Sequence, residues 1–124
     1  MQHSPGFLRL VDDAKTRIQE ITIAELRQRL AANPALVLLD VREDGEWAAG
    51  HAVSARHLGR GILERDLETL YPDKQAEMVL YCGGGYRSAL ACDAAQKMGY
   101  AHVRSLVGGY KGLVAEGWEM TRPA

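Results

Sequence analysis

Two short apolar runs limit what this chain can fold into. "ALVLLDV" (residues 35–41) and "EMVLYC" (residues 77–82) are nearly continuous in apolar residues. A strand with one wet face alternates between apolar and polar. A run without that alternation must be covered on both faces. Each run ends in a turn and is followed by a helical pattern. Helices packed on both faces of a sheet meet that demand, so the expected fold class is α/β with a mostly parallel sheet.

The rest of the chain fits this alternation. Ser4-Pro5 reads as a helix N-cap with proline at the first helical position. Phe7, Leu10, Val11, Ala14 and Ile18 then share one helical face, so an amphipathic helix is expected to pack on the domain. "QEITIAELRQRLAANPA" carries a short strand signal and then Thr22-x-x-Glu25, a capping box, and Asn33-Pro34 ends the helix that it starts. "EDGEWAAGH" reads as a short helix and a turn. "RGILERDLETLYP" reads as a helix with Ile62, Leu63, Leu67 and Leu70 inward. "SALACDAAQKMG" is a helix, "AHVRSLVGG" a strand and turn, and "YKGLVAEGW" a last short helix. At 124 residues the chain is expected to be one domain, 1–124, with residues 1–18 a helical extension and 19–124 the core.

Composition excludes several classes. A net charge of −1, with no long run of one sign, gives no bulk attraction to nucleic acid or to an anionic membrane. No segment is apolar over the length of a membrane span, and the N-terminus lacks the apolar stretch of a signal peptide, so the expected location is cytoplasmic. Cys82 and Cys92 are too few for a disulfide framework and form no zinc-type pair, so no metal is expected.

The chemistry concentrates in "CGGGYRS". Cys82 ends a buried strand, and a helix follows within a few residues. That is where open α/β sheets tend to bind ligands. Gly83, Gly84 and Gly85 leave space above the sulfur and can turn successive N–H groups inward as a nest. The helix N-terminus and Arg87 add positive character. These influences lower a thiol's pKa and favour the thiolate, which is the nucleophile. The candidate site is therefore Cys82 as nucleophile with Gly83, Gly84, Gly85, Tyr86, Arg87 and Ser88 as its binding loop. Cys92, ten residues on, reads as a buried small hydrophobe.

From Glu20 onward the sequence resembles the rhodanese-like family. The motifs are "LLDVREDGEWAAGHAVSARHL", "LYCGGGYRSALA" and "VRSLVGGYKGLVAEGWEM", in the family's order. The resemblance implies a single rhodanese-like domain, with a central sheet of about five strands flanked by helices on both faces. It implies a thiosulfate sulfurtransferase-type enzyme without cofactor. Cys82 would take a sulfane sulfur from a small anionic donor as a persulfide and pass it to cyanide or a thiol acceptor, a protein thiol included. Arg87 would orient the donor or brace the loop, and Asp40 and Arg42 would support it. Trp47 is expected in the core and His51 as a structural residue in a turn. Where the family often has Ile-Pro-Gly-Ala, this chain has "AVSA". The following Arg56, His57 and Arg60 are expected as a basic rim beside the pocket.

Three other readings stay open. Cys-dependent phosphatases and arsenate reductases also use a Cys-loop-Arg cradle, usually with five residues between Cys and Arg. Here there are four, Gly83 to Tyr86, a size better suited to sulfur than to phosphate. A non-catalytic protein-binding module often lacks the loop cysteine that this chain has. A persulfide or redox sensor would use an oxidised Cys82 as its signal.

Overall fold

In the computed structural model, which describes residues 3–123, the chain runs in alternating order. The elements are α1 (Pro5–Lys15), β1 (Gln19–Ile21), α2 (Ile23–Ala32), β2 (Val37–Asp40), α3 (Asp44–Ala49), β3 (His51–Ala52) and β4 (Arg56–His57). A short 3-10 helix (Arg60–Ile62) leads into α4 (Leu63–Leu70). Then follow β5 (Met78–Tyr81), α5 (Arg87–Lys97), β6 (Val103–Leu106), α6 (Gly109–Ala115) and β7 (Met120–Thr121). Residues 1, 2 and 124 of the expected domain lie outside the described residues.

Five strands form a parallel sheet in the order β1-β6-β5-β2-β4. The two apolar runs became β2 and β5, adjacent near the sheet centre, with Leu39 opposite Leu80. Their side chains divide between two cores. Leu39, Val41, Met78, Leu80 and Cys82 join Leu63 and Leu67 of α4 and Ala91, Cys92 and Ala95 of α5. Leu38, Val79 and Tyr81 join Leu26 of α2 and Leu113 of α6 on the other face. Continuous apolarity was needed because both faces are covered. β3 and β7 form a separate antiparallel pair that ties the C-terminal segment to the turn after α3.

Local signals set the helix starts. Ser4 Oγ accepts from the Phe7 N–H at 3.4 Å, with Pro5 at N1. Thr22 Oγ1 accepts from the Glu25 N–H at 3.1 Å, and Glu25 accepts from the Thr22 N–H at 2.9 Å. Together such caps contribute about 1 kcal/mol per helix.

Four expectations change. In the helix around α4, Leu63 and Leu67 are fully buried but Ile62 and Leu70 are 41% and 54% exposed. The 3-10 turn puts Ile62 out of phase with the α-helical stripe, and Leu70 sits in the last turn of α4. In α1, Val11 and Ala14 are buried whereas Leu10 is 62% exposed. This helix packs chiefly on α5, so only a narrow stripe is covered. Ile18 lies beyond the end of α1 and packs against the α4/α5 core. Trp47 is half-buried outside both core clusters, stacked on His51 with ring centroids 3.3 Å apart and on His57 at 4.9 Å.

Candidate active site

The loop leaves β5 at Cys82 and enters α5 at Arg87. Gly85 N–H donates to Cys82 Sγ at 3.2 Å. The Ser88 hydroxyl lies 3.5 Å from the same sulfur and 2.8 Å from the Ser105 hydroxyl on β6. Cys82 is only 1% exposed, and such burial pushes a thiol's pKa up. Hydrogen bonds from the Ser88 hydroxyl and from the N–H groups of Ser88, Gly85 and Gly84 outweigh it, and the net direction is downward.

The loop is held open from behind. Its carbonyls face the turn into α6: Tyr110 N–H donates to Cys82 O at 2.7 Å and Lys111 N–H to Gly83 O at 3.1 Å. With those carbonyls turned away, the following N–H groups are left to the sulfur side. The close approach requires glycine at Gly109, where φ is +52° and a Cβ would run into the backbone of Cys82 and Gly83. Of the three loop glycines only Gly85 takes a positive φ, +99°.

Arg87 turns sideways. Its guanidinium donates to both carboxylate oxygens of Glu46 on α3, at 2.6 and 3.1 Å. Glu46 also accepts from the Glu43 N–H at 3.0 Å. The Arg87 hydrogen bond is the main cause that holds the Glu46 carboxyl below its ordinary pKa.

Asp40 and Arg42 form a buried pair at the end of β2. Arg42 reaches Asp40 Oδ2 at 2.7 Å and donates to Gly50 O at 2.7 Å. Its guanidinium stacks 4.1 Å from the Tyr110 ring. Since Tyr110 also binds the Cys82 carbonyl, the pair is linked to the loop through α6. His51 is buried with Nδ1 3.1 Å from Trp47 O. Cys92 is fully buried, and burial pushes its thiol up, so it packs as a small apolar group.

The three basic residues after β3 do not share one site. Arg56 lines a cavity of about 860 Å³ around the amino end of β2, with Leu30, Tyr71 and Trp118. His57 Nε2 lies 2.8 Å from Arg42 O. Arg60 N–H donates to Val41 O, next to the end of β2, and its side chain pairs with Glu64 at 2.7 Å. Arg60 Nε is buried without a partner among the described residues. No group of three or more His, Cys, Asp or Glu side chains suited to a metal occurs among the described residues.

Sequence reasoning passed over Glu46, Ser105 and Gly109 as site residues. Glu46 and Gly109 lay inside quoted motifs. Ser105 lay inside one too, where it read only as a polar residue in a strand.

A sequence profile of the rhodanese-like domain matches residues 22–116. The chain belongs to the rhodanese-like family. This rhodanese-like chain is 38% identical over 86 residues to YtwF of Bacillus subtilis, a provisionally named sulfurtransferase, covering 69% of this chain and 82% of that protein. It is 30% identical over 106 residues to a sulfurtransferase of Allochromatium vinosum, covering 86% and 97%. Among solved structures it is similar to the human single-domain sulfurtransferase TSTD1, with 29% identity, TM-score 0.71, and coverage of 78% and 96%. It is also similar to RPA3614 of Rhodopseudomonas palustris, described as a protein of unknown function and possible tyrosine phosphatase, with 26% identity, TM-score 0.78 and 98% coverage of both chains.

Proposed function

We propose that this chain is a sulfurtransferase that carries sulfane sulfur on Cys82. The arrangement of backbone N–H groups and the Ser88 hydroxyl around the Cys82 sulfur carries this reading. The Cys82 thiolate attacks the outer sulfur of a donor such as thiosulfate. A Cys82–sulfur bond forms, the donor's sulfur–sulfur bond breaks, and sulfite leaves with the bonding pair. The product is a Cys82 persulfide anion. A thiolate or cyanide acceptor then attacks its terminal sulfur, and the Cys82 thiolate returns as leaving group. Charge and electrons balance in both steps.

The loop serves both states. The N–H groups of Gly84, Gly85 and Ser88 stabilise negative charge on the inner sulfur, and the exposed side of the loop at Gly84 admits the second. Ser105 can donate to Ser88, which leaves the Ser88 proton for the sulfur. Gly83, Tyr86 and Arg87 complete the loop, with Arg87 as its brace through Glu46. Asp40 and Arg42 support it through Tyr110. Of the basic rim, Arg60 remains the candidate that attracts an anionic donor, with its orphaned Nε as the supporting observation. His57 acts by holding the Arg42 carbonyl, and Arg56 faces a different cavity.

Incubation with thiosulfate is expected to add one sulfur atom to Cys82, seen by intact mass and peptide mapping. Cyanide then releases thiocyanate, and Cys82→Ser does neither. The structural likeness to a possible tyrosine phosphatase makes an aryl phosphate the natural counter-substrate. The four-residue spacing and the Arg87–Glu46 pair argue against phosphate transfer. Turnover of p-nitrophenyl phosphate, with no sulfur gained from any donor, would reverse the proposal. No sulfur gained and no turnover would assign a binding module instead.

A further inference from the structure

The cavity of about 860 Å³ that Arg56 lines has no part in the sulfur chemistry. It surrounds the amino end of β2. β2 and β5 run parallel, and Cys82 follows the carboxyl end of β5, so cavity and sulfur lie at opposite ends of the sheet. Its size is that of sites which hold small organic molecules.

Much of the wall is apolar. Leu30 and Leu36 come from α2 and the turn after it, Leu70 and Tyr71 from the end of α4, and Trp118 from the segment before β7. Leu70 is exposed and both rings are only partly buried, so apolar surface is presented to the opening. Flat rings of this kind favour stacking with another flat body.

Two guanidinium groups stand at the same wall. Arg27 stacks on the Trp118 ring at 4.5 Å and reaches Glu116 O at 3.4 Å. Arg56 lies on the Tyr71 side, where its charge opposes the upward push of burial on the Tyr71 phenol. Among the described residues neither takes part in an ion pair. Glu119 is the one carboxylate on the lining, so two arginines against one glutamate leave a single positive charge in excess.

Ser54 also lines the cavity, and it is exposed. It is the third residue of the "AVSA" turn and holds φ +73°, the one non-glycine residue at positive φ among those described. Glycine takes that conformation without strain, whereas serine does not. Serine keeps a hydroxyl on the cavity rim that glycine would lack, two residues before Arg56.

We propose that this cavity is a second ligand site, separate from the sulfur chemistry, for a small aromatic carboxylate. Its flat body lies among Leu30, Leu70, Tyr71 and Trp118. Its carboxylate meets Arg56 and the Ser54 hydroxyl, and Arg27 holds the Trp118 ring from the other side and adds to the positive field. One excess charge on the lining matches one carboxylate. An inorganic anion has nothing to offer the rings, and a neutral body leaves Arg56 without a counter-ion.

Titration of 2-naphthoate into isotope-labelled full-length protein at low salt, followed through the two tryptophan indole N–H signals, tests this. Trp118 lines the cavity, whereas Trp47 stacks on His51 and His57. The Trp118 signal is expected to shift and that of Trp47 to stay, with a Kd on the order of 0.1–1 mM. Acetate and 2-naphthamide, the charge without the body and the body without the charge, are expected to bind about tenfold more weakly or worse. Arg56→Gln is expected to weaken 2-naphthoate roughly three- to tenfold and leave 2-naphthamide unchanged, and Glu119→Gln to tighten 2-naphthoate. Ser54→Gly is expected to weaken 2-naphthoate without lowering the thermal midpoint, because glycine fits that φ. Cys82→Ser is expected to bind as wild type does. A shift at Trp47 with Trp118 unmoved, equal affinity for 2-naphthoate and 2-naphthamide, or wild-type affinity in Arg56→Gln overturns the proposal. So does a protein that binds neither naphthyl probe at millimolar concentration, which would leave this face to a macromolecular partner.

Discussion

Alanine at Gly109 tests whether the α6 turn shapes the cysteine loop. The new Cβ would lie 2.9 Å from both the carbonyl carbon and oxygen of Gly83 and closer still to the Cys82 carbonyl oxygen. Backbone on both sides must shift. Holding alanine at φ +52° costs about 1–2 kcal/mol relative to glycine. The shift breaks the bonds from Tyr110 N–H to Cys82 O and from Lys111 N–H to Gly83 O, at about 1 kcal/mol each. The expected loss is about 3–4 kcal/mol, a large part of the stability of a small domain. The carbonyls released from α6 also let the loop N–H groups swing off the sulfur, with an expected fall in turnover of roughly a hundredfold. Urea unfolding followed by tryptophan fluorescence measures the first, and thiocyanate release from thiosulfate and cyanide the second. Gly45→Ala is the control: nothing lies within 4 Å of its Cβ, and it sits inside α3, so it is expected to be neutral or slightly stabilising. A Gly109→Ala protein with wild-type unfolding midpoint and wild-type turnover refutes the reasoning.

Three further outcomes are expected. Ser88→Ala removes the foremost of the hydrogen bonds that hold the Cys82 thiol down against its burial. The thiolate is the reactive form, so the acid limb of the pH–rate profile moves to higher pH, and a profile that stays in place contradicts the role given to Ser88. Glu46→Gln keeps an acceptor for the Glu43 N–H but removes the charge that engages Arg87. Both partners are about one-third exposed, at 32% and 39%, so the stability cost is expected below about 1 kcal/mol. The freed guanidinium is expected to lower KM for thiosulfate, and a raised KM shows that the paired Arg87 is what binds the anion. Hydrogen bonding from Arg17 takes the Asp93 carboxyl down to about 2. A depressed carboxyl stabilises the fold fully above the unfolded value, near ~3.9, and the contribution is lost as pH falls from there toward about 2. The gap in thermal midpoint between wild type and Asp93→Asn should therefore close over that window, and a gap that persists undiminished at its acid end counts against the Arg17–Asp93 tie.

The features that could be read along the chain are those whose partners lie within a turn or two. Thr22 and Glu25 cap one helix because they are three residues apart. The runs before Asp40 and Cys82 declare burial on both faces through their own lack of alternation. The glycines after Cys82 declare an open loop for the same local reason. The fifth strand, β4, escaped because two residues are too few to show a period. Ile62, Leu70 and Leu10 misled because periodicity tells which way a side chain points, not whether anything lies there to cover it. The site's remaining contacts span long stretches of sequence: Glu46 to Arg87, Ser88 to Ser105, Gly109 to Cys82. Each depends on the order in which strands line up, with β6 beside β5 and β5 beside β2. No local energy records that order. The chain alone thus specified the candidate sulfur and the layered fold that presents it, whereas packing between distant segments decided how the loop is held and which carboxylate its arginine meets.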